Sequence, residues 1–393
     1  MIEPGGKIEQ NKKVVMTVSN EFTTDYRVYR EASALTKAGY AVTIFCVYKP
    51  GLARAEEKDG IHVRRILDAH IRLPVSLQGR RVRRVWWKNL LKANADIYHA
   101  HDRDALDLTA RAARKLGRPF IYDSHEFWPD KNSYENNTRS PRDRLSEMWW
   151  NAKEARYIRW ADGFIVTSPG HGDGLVERYH VKPPVVARNI PEYQRGKDRT
   201  YLRRCLGLSA TYKLLVYVGN IQRNRGLEEV IASLVHMPSH VHFVIIGYGH
   251  YQKELERRLP SNLRGRVQFF GAIPFTEIIP TIYSGDIGVS PFQANCYSHR
   301  HVLPNKIFEY MMAELPIAAS NFPDMKKIID EVGYGKTFDP ASPADIAKTI
   351  NAMLRDESGL ENMRARAREA SERQFRFDKE KEKLLELYRR LLP

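Results

Sequence analysis

Hydrophobic and polar positions along the chain follow two alternating rhythms. Short aliphatic and β-branched runs are separated by longer stretches of helical period, the pattern of βα units around a parallel sheet. In the first half, the runs Val14–Val18, Ala41–Val47, Ile61–Ile66, Asp96–His99, Pro119–Asp123 and Gly163–Thr167 predict strands. Between the first two, Tyr26, Tyr29, Ala32, Leu35 and Thr36 share a helical face, and Gly39 supplies a C-cap. The series breaks at VVARNIP (185–191), and the polar EYQRGKDR (192–199) has no period, as expected of a linker. It restarts with Lys213–Val218, His240–Ile246, Val267–Phe270, Asp286–Ser290 and Pro316–Ser320. From Asp378 to Leu392, six apolar residues fall among Lys, Glu and Arg, which predicts an amphipathic helix that crosses back to the first domain. The pattern therefore predicts two doubly wound α/β domains, 1–192 and 193–376, with 377–393 as a crossing helix.

Composition narrows this picture. The chain of 393 residues is 42% hydrophobic and 28% charged, enough apolar material for real cores and too much for disorder. A net charge of +16 favours anionic partners without choosing among nucleic acid, anionic lipid and phosphorylated small molecules. No zinc finger, RNA-recognition signature or basic heptad region accompanies that charge, so nucleic acid is not expected as a partner. Cys46, Cys205 and Cys296 stand in no metal or disulfide spacing, which suggests a reducing compartment. No window approaches the roughly 18 apolar residues of a membrane span, and the leader MIEPGGKIEQNKK is polar, so a cytoplasmic protein is expected.

In open parallel sheets ligands bind beyond the carboxyl ends of the strands. The first strand ends in Ser19 to Asp25, without a GxGxxG fingerprint. Two later strands end in HAHD (99–102) and YDSHE (122–126), which collects three histidines and three carboxylates. A lone histidine there is as readily a satisfied loop residue; two neighbouring strand ends together point to a site. His99 and His101, two apart on a strand, share a face and could chelate a metal. No second ligand cluster has recognisable spacing, and no metal is expected.

In the second half, GNIQRNRG (219–226) joins a strand to a helix with two glycines and two arginines, a loop suited to phosphate or simply a basic turn. The strongest signal is SPF (290–292) followed by HVLPNKIFEYMMAELP (301–316). Pro304 opens a helix in which Ile307, Phe308, Met311 and Met312 form an apolar arc, leaving Lys306 and Glu309 off the buried face. Asn305, Lys306 and the helix N-terminus can hold an anion while Glu309 accepts from hydroxyls; the plain alternative is a solvated Glu and Lys. Separately, residues 72–92 carry Arg72, Arg80, Arg81, Arg83, Arg84, Lys88 and Lys92 with no acid, interleaved with Val82, Val85, Trp86, Trp87, Leu90 and Leu91. That composition suits a helix lying in an anionic membrane surface, with its indoles at the headgroup level; the plain alternative is a solvated basic helix whose tryptophans pack on the first domain's sheet.

The motifs DYRVYREA (25–32), AGYAVT (38–43), HAHD, YDSHE, GNIQRNRG and LPNKIFEYM (303–311), in this order, resemble the retaining glycosyltransferases of family 4 over nearly the whole chain. The resemblance implies the GT-B fold, two Rossmann-like domains facing a central cleft. It implies a sugar transferred from a nucleotide-diphosphate sugar to a hydroxyl acceptor, a glycan or polyprenyl-linked oligosaccharide in cell-surface polysaccharide synthesis. It implies no cofactor and no metal. His125, Arg225 and Glu309 take the catalytic positions: His125 beside the sugar, Arg225 on the diphosphate, Glu309 on the ribose as the second acid of E-x7-E. Asn220, Arg223, Gly247, Tyr248, Ile273, His301, Asn305 and Lys306 complete the donor side; Asn20, Asp25, His101 and Asp102 form the acceptor side.

This sequence departs from the family pattern at Asn220, where many members have arginine, so that Arg223 is the substitute in view. It also has His301 at the first position of E-x7-E. A peripheral place on the inner face of the cytoplasmic membrane would suit a lipid-linked acceptor. A GT-B epimerase or phosphorylase would use a similar cleft, and a noncatalytic nucleic-acid-binding protein would explain the charge; both stay open at this point.

Overall fold

The computed structural model describes residues 12–66, 77–131, 141–196 and 198–393. The leader up to residue 11 and Arg72 lie outside the described residues. The chain divides into two compact units, residues 1–188 with 380–393, and residues 189–379.

The first unit holds an eight-stranded sheet. Its strands are β1 Lys13–Thr17, β2 Ala41–Val47, β3 Ala55–Lys58, β4 Ile61–Ile66, β5 Ile97–His101, β6 Phe120–Ser124, β7 Gly163–Val166 and β8 Val185–Val186. They lie in the order β3-β4-β2-β1-β5-β6-β7-β8, parallel throughout except for the antiparallel β3 edge. The central strands are buried along nearly their whole length, which is why they read as continuous apolar runs. Helix α1 (Tyr26–Lys37) packs on one face, and the Phe377–Leu391 helix joins it there through Leu384, Leu385, Leu387 and Tyr388. Gly163 admits this helix: a Cβ there would meet Leu387 and Leu391 at 3.1 Å. Helices α2 (Leu77–Ala93) and α3 (Asp102–Leu116) pack in the other layer.

The second unit has a six-stranded parallel sheet: β9 Lys213–Val218, β10 Val241–Ile246, β11 Val267–Gly271, β12 Ile287–Ser290, β13 Ile317–Ser320 and β14 Gly335–Phe338. Its order is β11-β10-β9-β12-β13-β14, so chain direction across the sheet reverses between β9 and β12, the switch point where doubly wound sheets leave a crevice. Above that point lies the Asn305–Met312 helix, whose Tyr310 hydroxyl donates towards the carbonyls of Val216 (3.0 Å) and Val289 (3.1 Å) and accepts from the Val218 amide (3.2 Å). One phenol thus ties both switch strands together. Gly288 makes room for its ring, since a Cβ there would stand 2.6 Å from Tyr310 carbons.

Three expectations are corrected. The buried face of α1 contains Arg27, Val28, Glu31, Ala32 and Leu35, while Tyr26 is 41% exposed. Lys306 and Glu309 are buried, not solvated. The tryptophans of α2 do not form a membrane face: Val82, Trp86 and Leu90 are buried in the protein, and the Arg111 guanidinium covers Trp87. Arg83 is taken by Asp107, leaving Arg80, Arg81, Arg84, Lys88 and Lys92 exposed.

Candidate functional site

In the first unit the strand ends build a dense polar cluster. His101 on β5 stands in register with Asp123 on β6. Asp123 is fully buried and receives Arg27 of α1 in a fork, Nη2 lying 3.1 Å from Oδ1 and 2.9 Å from Oδ2. Arg27 also lies 3.0 Å from Glu31. Just past β6, His125 places Nδ1 3.2 Å from Asp102 Oδ2, and Nε2 3.4 Å from Asp123 Oδ2 and 3.3 Å from His101 Nδ1. Asp102 has a left-handed backbone, φ 61°, a conformation that costs a non-glycine residue about 1–2 kcal/mol. Its Oδ1 accepts from the His125 amide (3.0 Å) and the Trp128 indole (2.9 Å), which hold it there.

Burial disfavours the charge on His125, but the carboxylates of Asp102 and Asp123 outweigh it and raise its pKa well above the usual histidine value. Burial likewise opposes the Asp123 carboxylate, and Arg27 and His125 nevertheless hold its pKa well below the usual range. Both nitrogens of His125 are engaged by the protein, so it presents charge and shape more than an open donor. Asn20 and Asp25 bond to each other at 2.8 Å, and Asp25 caps α1 through the Val28 amide, so together they brace the loop after β1.

In the second unit the corresponding end is sparse in ion pairs. Lys306 is 6% exposed, its ammonium 3.6 Å from the Tyr217 ring centroid and 5.4 Å from that of Phe292. The Arg225 guanidinium lies over the other ring, 4.5 Å from the Phe292 centroid, with Gln222 Oε1 at 3.4 Å. Neither cation makes an ion pair among the described residues. Burial first, and then repulsion from Arg225, push the pKa of Lys306 well below the usual lysine value, with Glu309 opposing the shift. Glycine geometry makes this close assembly possible. Gly226 has φ 73°, and a Cβ there would fall 1.6 Å from the Pro291 carbonyl oxygen; Gly247 has φ 145°, and its Cβ would fall 1.9 Å from that of Gly219.

Asn305 opens the helix carrying Lys306 and Glu309. Asn220 and Tyr248 line a neighbouring cavity of about 500 Å³ with Gln222, His250 and Lys253. Ile273 packs against the sheet core. Arg223, the substitute in view for a missing phosphate ligand, is held by Glu254 at 2.5 Å and lies over Tyr251. His301 stacks on Tyr297 with centroids 4.3 Å apart, and its Nδ1 lies 3.0 Å from Asp324 Oδ2.

The sequence reading missed Arg27, Glu31, Tyr217 and Asp324. An Arg and a Glu four apart in the helix after β1 was the available sign of the first pair. The sequence shows no second ligand cluster with recognisable spacing beside His99 and His101; the fold supplies Glu31 and Asp123, and the four residues each offer a donor atom within 4.8 Å of the others.

Comparison with known proteins bears on the family and the fold. Residues 25–189 match the family model described as Glycosyltransferase Family 4, and residues 198–374 that of Glycosyl transferases group 1. A D-inositol 3-phosphate glycosyltransferase of Xylanimonas cellulosilytica is 22% identical over 75% of this chain and 71% of its own. An alpha-D-kanosaminyltransferase of Streptomyces kanamyceticus is 26% identical over 55% of each. Among solved structures, sucrose-phosphate synthase from Thermosynechococcus elongatus superposes with a TM-score of 0.76 at 18% identity, covering 97% of this chain and 99% of the other. Anabaena HepE in complex with UDP-glucose gives 0.75 at 17% identity, covering 96% and 99%. The fold is therefore GT-B, and the chain belongs to glycosyltransferase family 4.

Proposed function

We propose that this glycosyltransferase moves a sugar from a nucleoside-diphosphate sugar to a hydroxyl of a glycan or lipid-linked oligosaccharide, with retention of anomeric configuration, in cell-surface polysaccharide assembly. One observation carries the donor assignment: two cations, Lys306 at the N-terminus of the helix that bears Glu309 and Arg225 in the loop after β9, rest on Tyr217 and Phe292 without a carboxylate partner among the described residues. A buried cation without an ion pair is costly, and a diphosphate supplies the missing charge. The UDP-glucose complex of HepE supports this reading.

In the step proposed, the bond from the sugar anomeric carbon to the diphosphate oxygen breaks and its electron pair leaves with the diphosphate. The acceptor oxygen bonds to that carbon on the same face, and the acceptor proton passes to the departing phosphate oxygen. Arg225, Lys306 and the helix N-terminus stabilise the negative charge that develops there, so the donor needs no metal. Glu309 accepts from the ribose hydroxyls. On the acceptor side, the His125 imidazolium, backed by Asp102, contributes charge beside the sugar.

The exposed basic residues of α2 favour an acceptor at an anionic surface on the cytoplasmic side of a membrane. No helix among the described residues is long and apolar enough to cross one. Calorimetry with nucleoside diphosphates against oligonucleotides tests the donor site; binding of oligonucleotides alone overturns it. Incubation with donor sugars, with and without acceptor, separates transfer from epimerisation and phosphorolysis.

A further inference from the structure

We propose that His99, His101 and Glu31, backed by Asp123, bind one divalent transition-metal ion of the zinc class inside the first unit. The site is separate from the donor chemistry and structural in role. His99 and His101 leave β5 on the same face, their rings stacked with centroids 4.2 Å apart. Each has its Nδ1 occupied by a neighbour. His99 Nδ1 lies 2.9 Å from the Tyr388 hydroxyl, and His101 Nδ1 lies 3.5 Å from Asp123 Oδ2, with His125 Nε2 at 3.3 Å. Where that neighbour accepts from Nδ1, the other ring nitrogen is left as the lone-pair donor, the arrangement that metal-bound imidazoles show.

The remaining atoms are the informative ones. His99 Nε2, His101 Nε2 and Glu31 Oε2 are buried and have no hydrogen-bond partner among the described residues. Their residues are 0%, 2% and 6% exposed. Three buried polar atoms without a partner in one place are costly, and a hydrogen-bonding network should have resolved them. Donor atoms from these three residues and Asp123 all lie within 4.8 Å of one another, so small side-chain shifts bring one ion to zinc bond lengths of about 2.0–2.2 Å. Two imidazoles with carboxylate oxygen suit zinc better than magnesium or calcium.

Charge leads to the same place. Glu31, Asp102 and Asp123 bring three carboxylates to the cluster against the single guanidinium of Arg27. Arg27 uses Glu31 Oε1 and Asp123, which leaves Glu31 Oε2 for the ion.

The test uses the full chain without an affinity tag. Protein purified in the presence of zinc and then gel-filtered should retain about one equivalent of metal by mass spectrometry. Cobalt added to the chelator-treated protein should give visible ligand-field absorption, and zinc should abolish it. Chelation should lower the unfolding temperature, and zinc should restore it. Glu31→Gln and His99→Gln should lose the retained metal and the zinc response, while His62→Gln, at an exposed strand position, should keep both. Should the core variants fail to fold, the cobalt spectrum of the unmodified protein decides. Negligible retained metal with no cobalt absorption overturns the proposal, and so does metal that survives in folded Glu31→Gln at the same stoichiometry.

Discussion

The two units present their strand ends in opposite electrostatic conditions. In the first, buried charges meet buried counter-charges: Arg27 lies against Asp123 and Glu31, and His125 against Asp102 and Asp123. In the second, Lys306 and Arg225 rest on aromatic faces and make no ion pair among the described residues. Paired charges hold one another in place, whereas cations left on rings are poised for an anion from outside. The contrast separates a region that chiefly fixes geometry from one that chiefly binds.

The sharpest way to break this contrast is Arg27→Met. It leaves Asp123 buried without its guanidinium, and unfolding in urea should show a loss of about 3–5 kcal/mol. Nucleoside-diphosphate affinity of the folded fraction should be unchanged; a parallel loss of affinity would erase the division of labour.

Next in size, His125→Ala should lower turnover by roughly 10²-fold while affinity for nucleoside diphosphates holds, as removal of one positioned electrostatic group does. Normal turnover in steady-state assays would return His125 to a purely structural place between Asp102 and Asp123.

Arg225→Ala and Lys306→Met should each weaken nucleoside-diphosphate binding by 1.5–3 kcal/mol, roughly 10- to 150-fold, with little change in unfolding temperature. Calorimetry that finds both affinities intact removes the donor site from this place.

The pH response is subtler. Burial and Arg225 lower the pKa of Lys306 in the free protein, and a bound diphosphate raises it again. Binding therefore takes up protons. Affinity is highest where free Lys306 is already charged, and falls as pH climbs from its free value towards its value in the complex. Heats measured in buffers of different ionisation enthalpy read this uptake directly; no buffer dependence in that window contradicts it.

The smallest effect concerns the exposed basic face of α2. Replacing Arg80, Arg81 and Arg84 with Ser should reduce sedimentation with anionic vesicles at low salt and leave neutral vesicles unaffected. Equal binding by the variant would place any membrane contact elsewhere.

The central strands were legible because a parallel sheet covered on both faces demands continuous apolar runs, as in Val14–Val18 and Lys213–Val218. The edges were not. β3 is AEEK, exposed at every position, and β8 is two residues long, so neither carries a period. The face of α1 was misread because buried Arg27 and Glu31 satisfy each other and Asp123, and so look like surface residues in the sequence. Lys306 was misread for a related reason, since its neighbours are rings contributed by other strands. Asp324, twenty-three positions from His301, belongs to that imidazole only through the fold.

The last helix also sets a schedule for synthesis. The Tyr388 hydroxyl that meets His99 is 289 positions further along the chain. Arg188, whose amide donates to Glu380, waits 192 positions for its partner. At about 5–20 residues per second, the ribosome needs on the order of 15–60 s between making His99 and making Tyr388. Throughout that interval one face of the first sheet lacks Leu384, Leu385 and Leu387 and remains open to water and to chaperones. The second unit, continuous from 189 to 379, has by then all of its own residues, so the half of the molecule made first is the half completed last.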